Sequence, residues 1–230
     1  MKSLQNRLHE YTLFEGFYKN AGGMVQPSSS AELRDEIEAR LDKGQYNLND
    51  IDTSKITDMS YLFYDSDYDL SKLDISRWDV SKVEDMSSMF WGCTNFNCDL
   101  SKWDVSNVES MACMFYECHN FNSDLSKWNT NRVEDMKNMF KDCHKFNSDL
   151  SKWDVSKVRS MQGMFQNCWK FSSDLSKWDV SNVINMTYMF NECKNFSSDL
   201  SKWDVSKVEY AAGMFIYSGM KELPSWYMTK

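Results

Sequence analysis

Apolar residues recur along the chain with a period of 25 residues, and one copy of the pattern is clearest at 100–124. That copy reads LSKWDVSNVESMACMFYECHNFNSD, and its apolar side chains fall at positions 1, 4, 6, 9, 12, 15, 16, 19 and 22, counted from Leu100. A fixed period of this length is typical of repeat proteins, in which neighbouring copies stack and bury a continuous core. The copies begin at Leu48, Ile75, Leu100, Leu125, Leu150, Leu175 and Leu200, with 27 residues between the first two starts and 25 between the others.

Each copy contains two apolar spacings, which predict two different elements. The first part, L-x-x-W-x-V, has the spacing of a leucine-rich-repeat strand, with Trp103 and Val105 inward and Asp104 outward. In the second part, apolar residues follow Met111 at i+3, i+4 and i+7, which predicts one face of a helix. A serine followed three residues later by a glutamate predicts a capping box before that helix. Such pairs are Ser81 with Glu84, Ser106 with Glu109 and Ser206 with Glu209.

These elements predict an α/β repeat fold. We expect a right-handed solenoid of the leucine-rich-repeat type, with seven coils of about 25 residues and a helical N-terminal cap. Stacked coils would align identical side chains into columns of Trp, Val, Met, Phe and Leu. The predicted parts are an amphipathic arm and linker at 1–30, a cap helix at 31–47, the solenoid at 48–215 and a C-terminal cap at 216–230.

Two helices are predicted before the repeats. The segment 31–43 follows a pair of serines, stops at Gly44 and has one apolar face, so we expect it to cover the first coil. That face consists of Leu33, Ile37 and Leu41. An earlier amphipathic helix is predicted in the arm, and it packs either on the solenoid or on a partner. The apolar stripe of the arm contains Leu4, Leu8, Tyr11 and Phe14.

The repeat motif resembles that of a known family. WDVSNV, followed by M-x-x-M-F-x-x-C and then by D-L-S-K-W, is similar to the BspA-like leucine-rich repeat family over about residues 48–215. The segments ELRDEIEAR and LNDIDTSKITDMSYLF, with LPSWY at the other end, resemble the ends of short members that lack a signal peptide. Such members are encoded by gut bacteria and their phages. The resemblance implies a binding or surface-recognition role without enzymatic activity.

Charge and hydropathy argue against several classes of protein. The net charge of −8 argues against nonspecific nucleic-acid binding, because that binding depends on Lys and Arg neutralising phosphates. No stretch approaches the apolar length that a membrane span needs. The N-terminus, MKSLQNRLHEYTLFEGFYKN, carries charged and polar residues throughout and does not predict a signal peptide. We therefore expect a cytoplasmic or virion-associated protein.

The cysteines are the first candidates for chemistry. Their total of seven is odd, so they cannot all pair within the chain, and we expect reduced thiols in the core. Disulfides between neighbouring coils and a metal site are the alternatives. His119 and His144 each follow a cysteine, but adjacent side chains project differently and no C-x-x-C pair exists, so we expect neither a metal nor another cofactor. Five of the cysteines share position 19: Cys93, Cys118, Cys143, Cys168 and Cys193.

Aspartates form two further columns. One lies on the outward face with lysines two positions earlier, which predicts a solvated face with balanced charges. The other comes just before position 1 of each copy, and we expect it to accept hydrogen bonds from backbone N–H groups. No phosphate-binding loop or nucleophile motif occurs, so we do not expect an enzyme. The outward column is Asp79, Asp104, Asn129, Asp154, Asp179 and Asp204, and the other is Asp74, Asp99, Asp124, Asp149, Asp174 and Asp199.

Function is expected where the repeat does not dictate the residue. Positions 10, 11, 13, 14, 17, 18, 20 and 21 vary between copies, and several hold aromatic residues of the kind that protein interfaces use. We predict a non-catalytic protein-binding scaffold. The alternatives are a structural or accessory protein of a phage virion, docked by its arm, and a phage-encoded inhibitor of a host defence protein. The candidate partner-binding residues are Leu4, Leu8, Tyr11, Phe14, Trp91, Tyr116, Trp169 and Tyr188.

Overall fold

A computed structural model of the chain describes residues 23–229. Within that range the helices are α1 (Ser30–Asp42) and two short 3-10 helices, Leu70–Lys72 and Ser225–Thr229. Strand pairing in the described residues consists of isolated parallel bridges, most of them between residues at the same position of consecutive copies. The copies therefore stack in parallel, but their backbone is built mainly from turns.

The α/β fold predicted from the sequence is wrong for this chain. A right-handed leucine-rich-repeat-type solenoid of seven coils would have a strand and a helix in each copy, and the described copies contain neither a regular strand nor an α-helix. Where a helix was expected, the N–H of Met114 donates to the carbonyl of Met111 at 3.2 Å, and the N–H of Cys118 donates to Phe115 at 3.0 Å. These bonds span three residues, whereas an α-helix has bonds that span four.

The remaining N–H groups of the same segment bond to the next copy. Cys113 donates to the carbonyl of Lys137 at 2.8 Å, and Phe115 donates to that of Met139 at 2.9 Å. Alternate residues thus close turns within a copy and link neighbouring copies. A helix would use all of these N–H groups internally, so the stack competes with the helix for the same donors.

Two residues of each copy adopt the left-handed backbone conformation that such turns need. In the copy from 100, Cys113 has φ 57° and Glu117 has φ 62°. Both stand at the third residue of a turn, where a type II turn requires positive φ. The same position of other copies holds Asn138 or Gly163, residue types that accept this conformation readily.

The first part of each copy also turns, and its aspartates hold it. The N–H of Ser101 donates to Oδ1 of Asp99 at 2.9 Å, which confirms the prediction for that column of aspartates. The predicted capping boxes are wrong, because the N–H of Ser106 donates to Oδ1 of Asp104 at 3.1 Å and no helix follows. The outward direction of Asp104 is as predicted, since it is exposed.

Identical apolar side chains lie above one another through the stack, as predicted. Trp103 and Val105 point inward and are buried. Two columns of phenylalanine run beside each other. The ring centroids of Phe115 and Phe121 lie 4.0 Å apart within one copy, and those of Phe115 and Phe140 lie 5.6 Å apart between copies. The indole N–H of Trp128 donates to the carbonyl of Leu100 at 3.0 Å, so the tryptophans also cross-link the backbone.

Helix α1 covers the first copy. It begins after Ser29, whose hydroxyl accepts a hydrogen bond from the N–H of Glu32, and its apolar face is buried as predicted. Gly44 follows the helix with φ 70°. The buried side chains of α1 are Leu33, Ile37 and Leu41.

Candidate functional site

The turns leave most of the residues that differ between copies at least partly exposed, with exceptions such as the buried Ser88. We call this surface the variable face. It consists of Ala112, Cys113, Tyr116, Glu117, His119 and Asn120 in one copy and the equivalent residues of the others. Because each copy stacks directly on the next, equivalent side chains of the face form columns across the stack. Two of these columns are aromatic.

The Tyr–Trp column, made of Tyr64, Trp91 and Tyr116, runs through the first three copies. The ring centroids of Tyr64 and Trp91 lie 5.3 Å apart with an edge-to-face angle of 74°, and those of Trp91 and Tyr116 lie 4.7 Å apart. Lys141 extends the column, with its Nζ 4.9 Å from the Tyr116 ring centroid. Tyr61 stands beside the column, 5.7 Å from Tyr64. The structure therefore brings Trp91 and Tyr116 together, as two neighbours in one aromatic surface.

The His–Trp column, made of His119, His144 and Trp169, lies three positions later in the repeat and runs through the third, fourth and fifth copies. The two imidazoles stack at 4.6 Å with an angle of 12°, and His144 stacks on Trp169 at 3.8 Å with an angle of 6°. Lys194 closes the column, with its Nζ 5.4 Å from the Trp169 centroid. Trp169 is exposed, whereas the two histidines are half-buried. The ring faces between neighbouring members of this column are therefore covered.

Tyr188 lies in neither column. It stands at one of the left-handed turn positions, with φ 57°, and its ring covers Gly213 of the next copy. Any side chain at Gly213 would collide with that ring, and the glycine itself has φ 67°. Tyr188 is exposed and belongs to the variable face. It lies several copies away from Trp91 along the stack.

The exposed tyrosines at the start of the stack were missed by the sequence analysis. Tyr61 and Tyr64 are 52% and 45% exposed, and both contact the candidate surface. The first copy is degenerate and is followed by a two-residue insertion, so its alignment with later copies is less evident. The sequence does contain a signal for them, in their spacing from the core residues Met59 and Phe63. The same spacing, counted from Met86, leads to the variable positions of the next copy.

Four predicted partner-binding residues fall outside the described residues. They are Leu4, Leu8, Tyr11 and Phe14 of the N-terminal arm. Their proposed role stays a prediction from the sequence.

Charge on the variable face is concentrated near the histidines. Burial and the neighbouring His119 lower the pKa of His144, while Asp142 opposes them. The carboxylate of Asp142 accepts a hydrogen bond from Asn167 at 2.5 Å. Lys145 and Lys170 each follow a ring of the column and are exposed. His144 therefore has both acidic and basic residues near it.

The cysteines of position 19 are core thiols. All seven cysteines are free, and Cys118 is buried with its Sγ donating to the carbonyl of Phe90 at 3.0 Å. The thiol of Cys143 bonds to Phe115 at 2.9 Å in the same way. Burial raises the pKa of Cys93 to about 12, so the neutral thiol that makes this bond is favoured. These bonds explain a cysteine at this place, since alanine would leave the carbonyl without the thiol donor.

Residues 23–229 contain neither a metal cluster nor a membrane-spanning helix. In that range no group of three or more His, Cys, Asp and Glu side chains is placed to hold a metal ion. No helix among these residues combines the length and the apolar character that crossing a membrane requires.

Comparison with known families agrees with the repeat pattern. One family model matches residues 35–152 and again residues 136–228, so the matches extend from α1 to the end of the stack. The matched family is a repeat family related to the BspA-like repeat proteins. Among curated proteins, no sequence matches the chain. The chain therefore belongs to the family described as "Mycoplasma protein of unknown function, DUF285".

Proposed function

We propose that the chain is a non-catalytic scaffold that binds a protein partner on its variable face. The observation that carries the proposal is the Tyr–Trp column, in which Trp91 contacts Tyr64 edge-to-face and Tyr116 at a tilted angle, at the surface. The repeated core positions specify the stack, so the fold itself does not require aromatic residues at the surface positions of this column. Tyr and Trp are the residue types that contribute most to protein interfaces, because they bury a large area and lose little conformational entropy.

The arrangement of the rings favours a protein over a sugar. A sugar ring stacks on an open aromatic face, but Trp91 lies against its two neighbours, and His144 lies between His119 and Trp169. The ring edges, the tyrosine hydroxyls and the indole N–H remain available, and these suit polar and apolar groups of a protein surface. The repeat motif supports a place among the BspA-like proteins, a resemblance that also implies binding.

A comparison of captured partners tests the proposal. The wild-type chain and a Trp91→Ala/Tyr116→Ala variant are used as baits in lysate of the source organism, and the captured proteins are compared by mass spectrometry. We expect at least one protein to bind the wild type and to be lost from the variant. The matched control is Lys102→Ala/Lys127→Ala, which changes two exposed lysines beside the outward aspartate column that includes Asp104. Equal recovery by all three baits would contradict the proposal.

A further inference from the structure

We propose that the His–Trp column and the lysines beside it bind an acidic peptide segment of the partner. The inference rests on the proposed function and names the chemistry of one part of the binding face. The edge it concerns consists of positions 20 and 21 in five consecutive copies. Its residues are Thr94, Asn95, His119, Asn120, His144, Lys145, Trp169, Lys170, Lys194 and Asn195.

The charge of this edge is opposite to that of the whole chain. The protein has a net charge of −8, yet the ten residues of the edge include three lysines, two histidines and no acidic residue. Within residues 23–229, Lys145 and Lys170 make no ion pair, whereas Lys194 lies 3.6 Å from Glu192. Both unpaired lysines are exposed. Positive charge with no acidic partner of its own is what an acidic ligand complements.

Lysines elsewhere on the stack have different surroundings. Beside the Asp99 column, hydrogen bonds from the serines two residues later are the main cause that lowers the pKa of Asp149 and of Asp174. Lys152 and Lys177 lower these pKa values further, so each lysine lies close to a carboxylate. The two pairs of lysines are equally spaced, 25 residues apart, and all four side chains are exposed. Among the described residues none of the four makes an ion pair, and they differ in the nearby carboxylates of Asp149 and Asp174, which makes one pair a matched control for the other.

The stacked rings favour a peptide over a nucleic acid. Single-stranded nucleic acid binds by stacking bases on open aromatic faces. Here the inner ring faces are covered by one another at 4.6 and 3.8 Å, and Lys194 lies over the Trp169 ring. With those faces covered, a ligand would contact the edges of the rings, where imidazole and indole N–H groups can donate to a carboxylate. An acidic peptide uses those donors together with the lysine ammonium groups.

The two imidazoles make this binding sensitive to pH. Histidine gains its proton near neutral pH, and burial and His119 keep the pKa of His144 below its ordinary value. Asp142 is the acidic neighbour of His144. The other charged residues next to the column in the repeat are Glu117, Lys145, Lys170 and Lys194. A carboxylate ligand favours the protonated imidazoles, so by linkage its affinity rises as the pH falls.

The experiment measures fluorescence anisotropy of a labelled peptide of twelve aspartates with the full chain at pH 8 and pH 6. We expect binding that tightens at least threefold at pH 6, and a loss of at least tenfold in the Lys145→Glu/Lys170→Glu variant. The control variant, Lys152→Glu/Lys177→Glu, has the same net charge and should stay within twofold of wild type. A His119→Gln/His144→Gln variant should bind at pH 8 but lose the gain at pH 6.

Three results would overturn the inference: no binding, equal losses in both lysine variants, or tighter binding of a twelve-nucleotide thymidylate strand. Thermal melts identify any variant that has not folded, and the milder Lys145→Gln/Lys170→Gln variant then takes its place. The capture experiment with Trp91→Ala/Tyr116→Ala concerns the other column. A partner lost from that variant, without binding of the aspartate peptide, would leave the proposed function standing and reject only the acidic ligand.

Discussion

Trp226 donates its indole N–H to the carbonyl of Leu200 at 2.8 Å. Trp203 makes the same bond to Leu175 at 3.0 Å, and the two indoles stack with their centroids 6.4 Å apart and an angle of 13°. Trp226 lies in the segment after the repeats, only 23 residues after Trp203. It nevertheless occupies the next place in the column of tryptophans and ends the stack with the contact that joins the copies.

Replacing Trp226 should destabilise the C-terminal end of the stack. We expect Trp226→Ala to lower the free energy of unfolding by about 2–3 kcal/mol, which is less than the 3–5 kcal/mol typical of a fully buried aromatic residue because Trp226 is half-buried. Trp226→Phe keeps a ring but removes the donor, and should cost about 1 kcal/mol. Denaturant melts measure both. Tyr217→Ala, at a residue 73% exposed, is the control and should have little effect.

A second pair of variants tests which side chains of the repeat point inward and which point outward. Trp153 is buried, stacks on Trp128 at 6.2 Å and donates to Leu125 at 2.9 Å, so Trp153→Ala should cost about 3–5 kcal/mol. Asp154→Ala removes an exposed acceptor for the N–H of Ser156 and should cost about 0.5–1 kcal/mol. Asp154→Asn keeps an acceptor oxygen and should cost less than Asp154→Ala. Similar losses in Trp153→Ala and Asp154→Ala melts would contradict this assignment of inner and outer faces.

Burial could be predicted from the sequence, because the spacing of apolar residues is the same for a helix and for this series of turns. Met111, Met114 and Phe115 would share a helix face, and here they share the core. The choice between the two depends on bonds to the next copy, which local spacing does not report. A comparison of copies did contain a signal, since Asn138 and Gly163 share a position and both favour positive φ. Cys113 alone, in the clearest copy, gave no such indication.

The candidate site was predictable residue by residue but not as a surface. Variation between copies identified Trp91, Tyr116 and Trp169, because core positions hardly vary. Their grouping depends on which positions of neighbouring copies lie side by side, and that follows only from the direct stacking of one copy on the next. The predicted Asp column was easier, since aspartate bonds to an N–H two residues later within its own turn.

The column that includes Asp99 should make stability depend on acid pH. Hydrogen bonds from serines two residues later, backbone N–H first, lower the pKa of each carboxyl in the set Asp99, Asp124, Asp149, Asp174 and Asp199. A carboxyl whose folded pKa is lowered contributes stability above its ordinary pKa, near 4, and loses that contribution as the pH falls. We therefore expect the melting temperature to fall steadily from pH 5 towards pH 2.5.

Asparagine at all five positions isolates the effect of the charge. The amide oxygen still accepts, as Asn129 does from the N–H of Asn131 at 3.3 Å, but it does not titrate. The fivefold Asp→Asn variant should be less stable at neutral pH and should lose less stability than wild type on acidification. Glu209→Gln/Glu222→Gln, two exposed acids outside the column, is the control. Parallel pH curves for wild type and the fivefold variant would show that the column does not contribute.

Thiol reactivity should separate one cysteine from the other six. Cys113 is half-buried on the variable face, whereas the others are buried. Burial raises the pKa of Cys118 and Cys143 well above the ordinary value, so few thiolates are present to react. Alkylation of the native protein at pH 8 should label Cys113 first, and intact mass after denaturation should count seven labels. Cys113→Ser should remove the fast phase, and a fast phase of two or more labels would contradict the burial of the rest.

The last prediction concerns the N-terminal arm and its candidate residues. Deleting 1–22 should leave a folded stack, because the first copy is already covered by α1, whose Leu33, Ile37 and Leu41 are 0%, 2% and 4% exposed. We expect the melting temperature to stay within a few degrees of wild type. If the arm docks on the partner, as its apolar stripe predicts, the truncated bait should lose the protein that the wild type captures. The four residues of that stripe are Leu4, Leu8, Tyr11 and Phe14.

Two measurements on the truncated chain distinguish the roles that the arm can have. A large fall in melting temperature, with new binding of an apolar dye, would mean that the arm stabilises the stack, since a protein exposes apolar surface when a packed segment is removed. Unchanged stability with lost capture would place the arm in the partner interface. The substitutions Leu4→Ser/Leu8→Ser serve as a control, because they keep the chain length and reduce only the apolar stripe. Unchanged stability together with unchanged capture would exclude both roles and leave Trp91, Tyr116 and Trp169 as the residues on which binding depends.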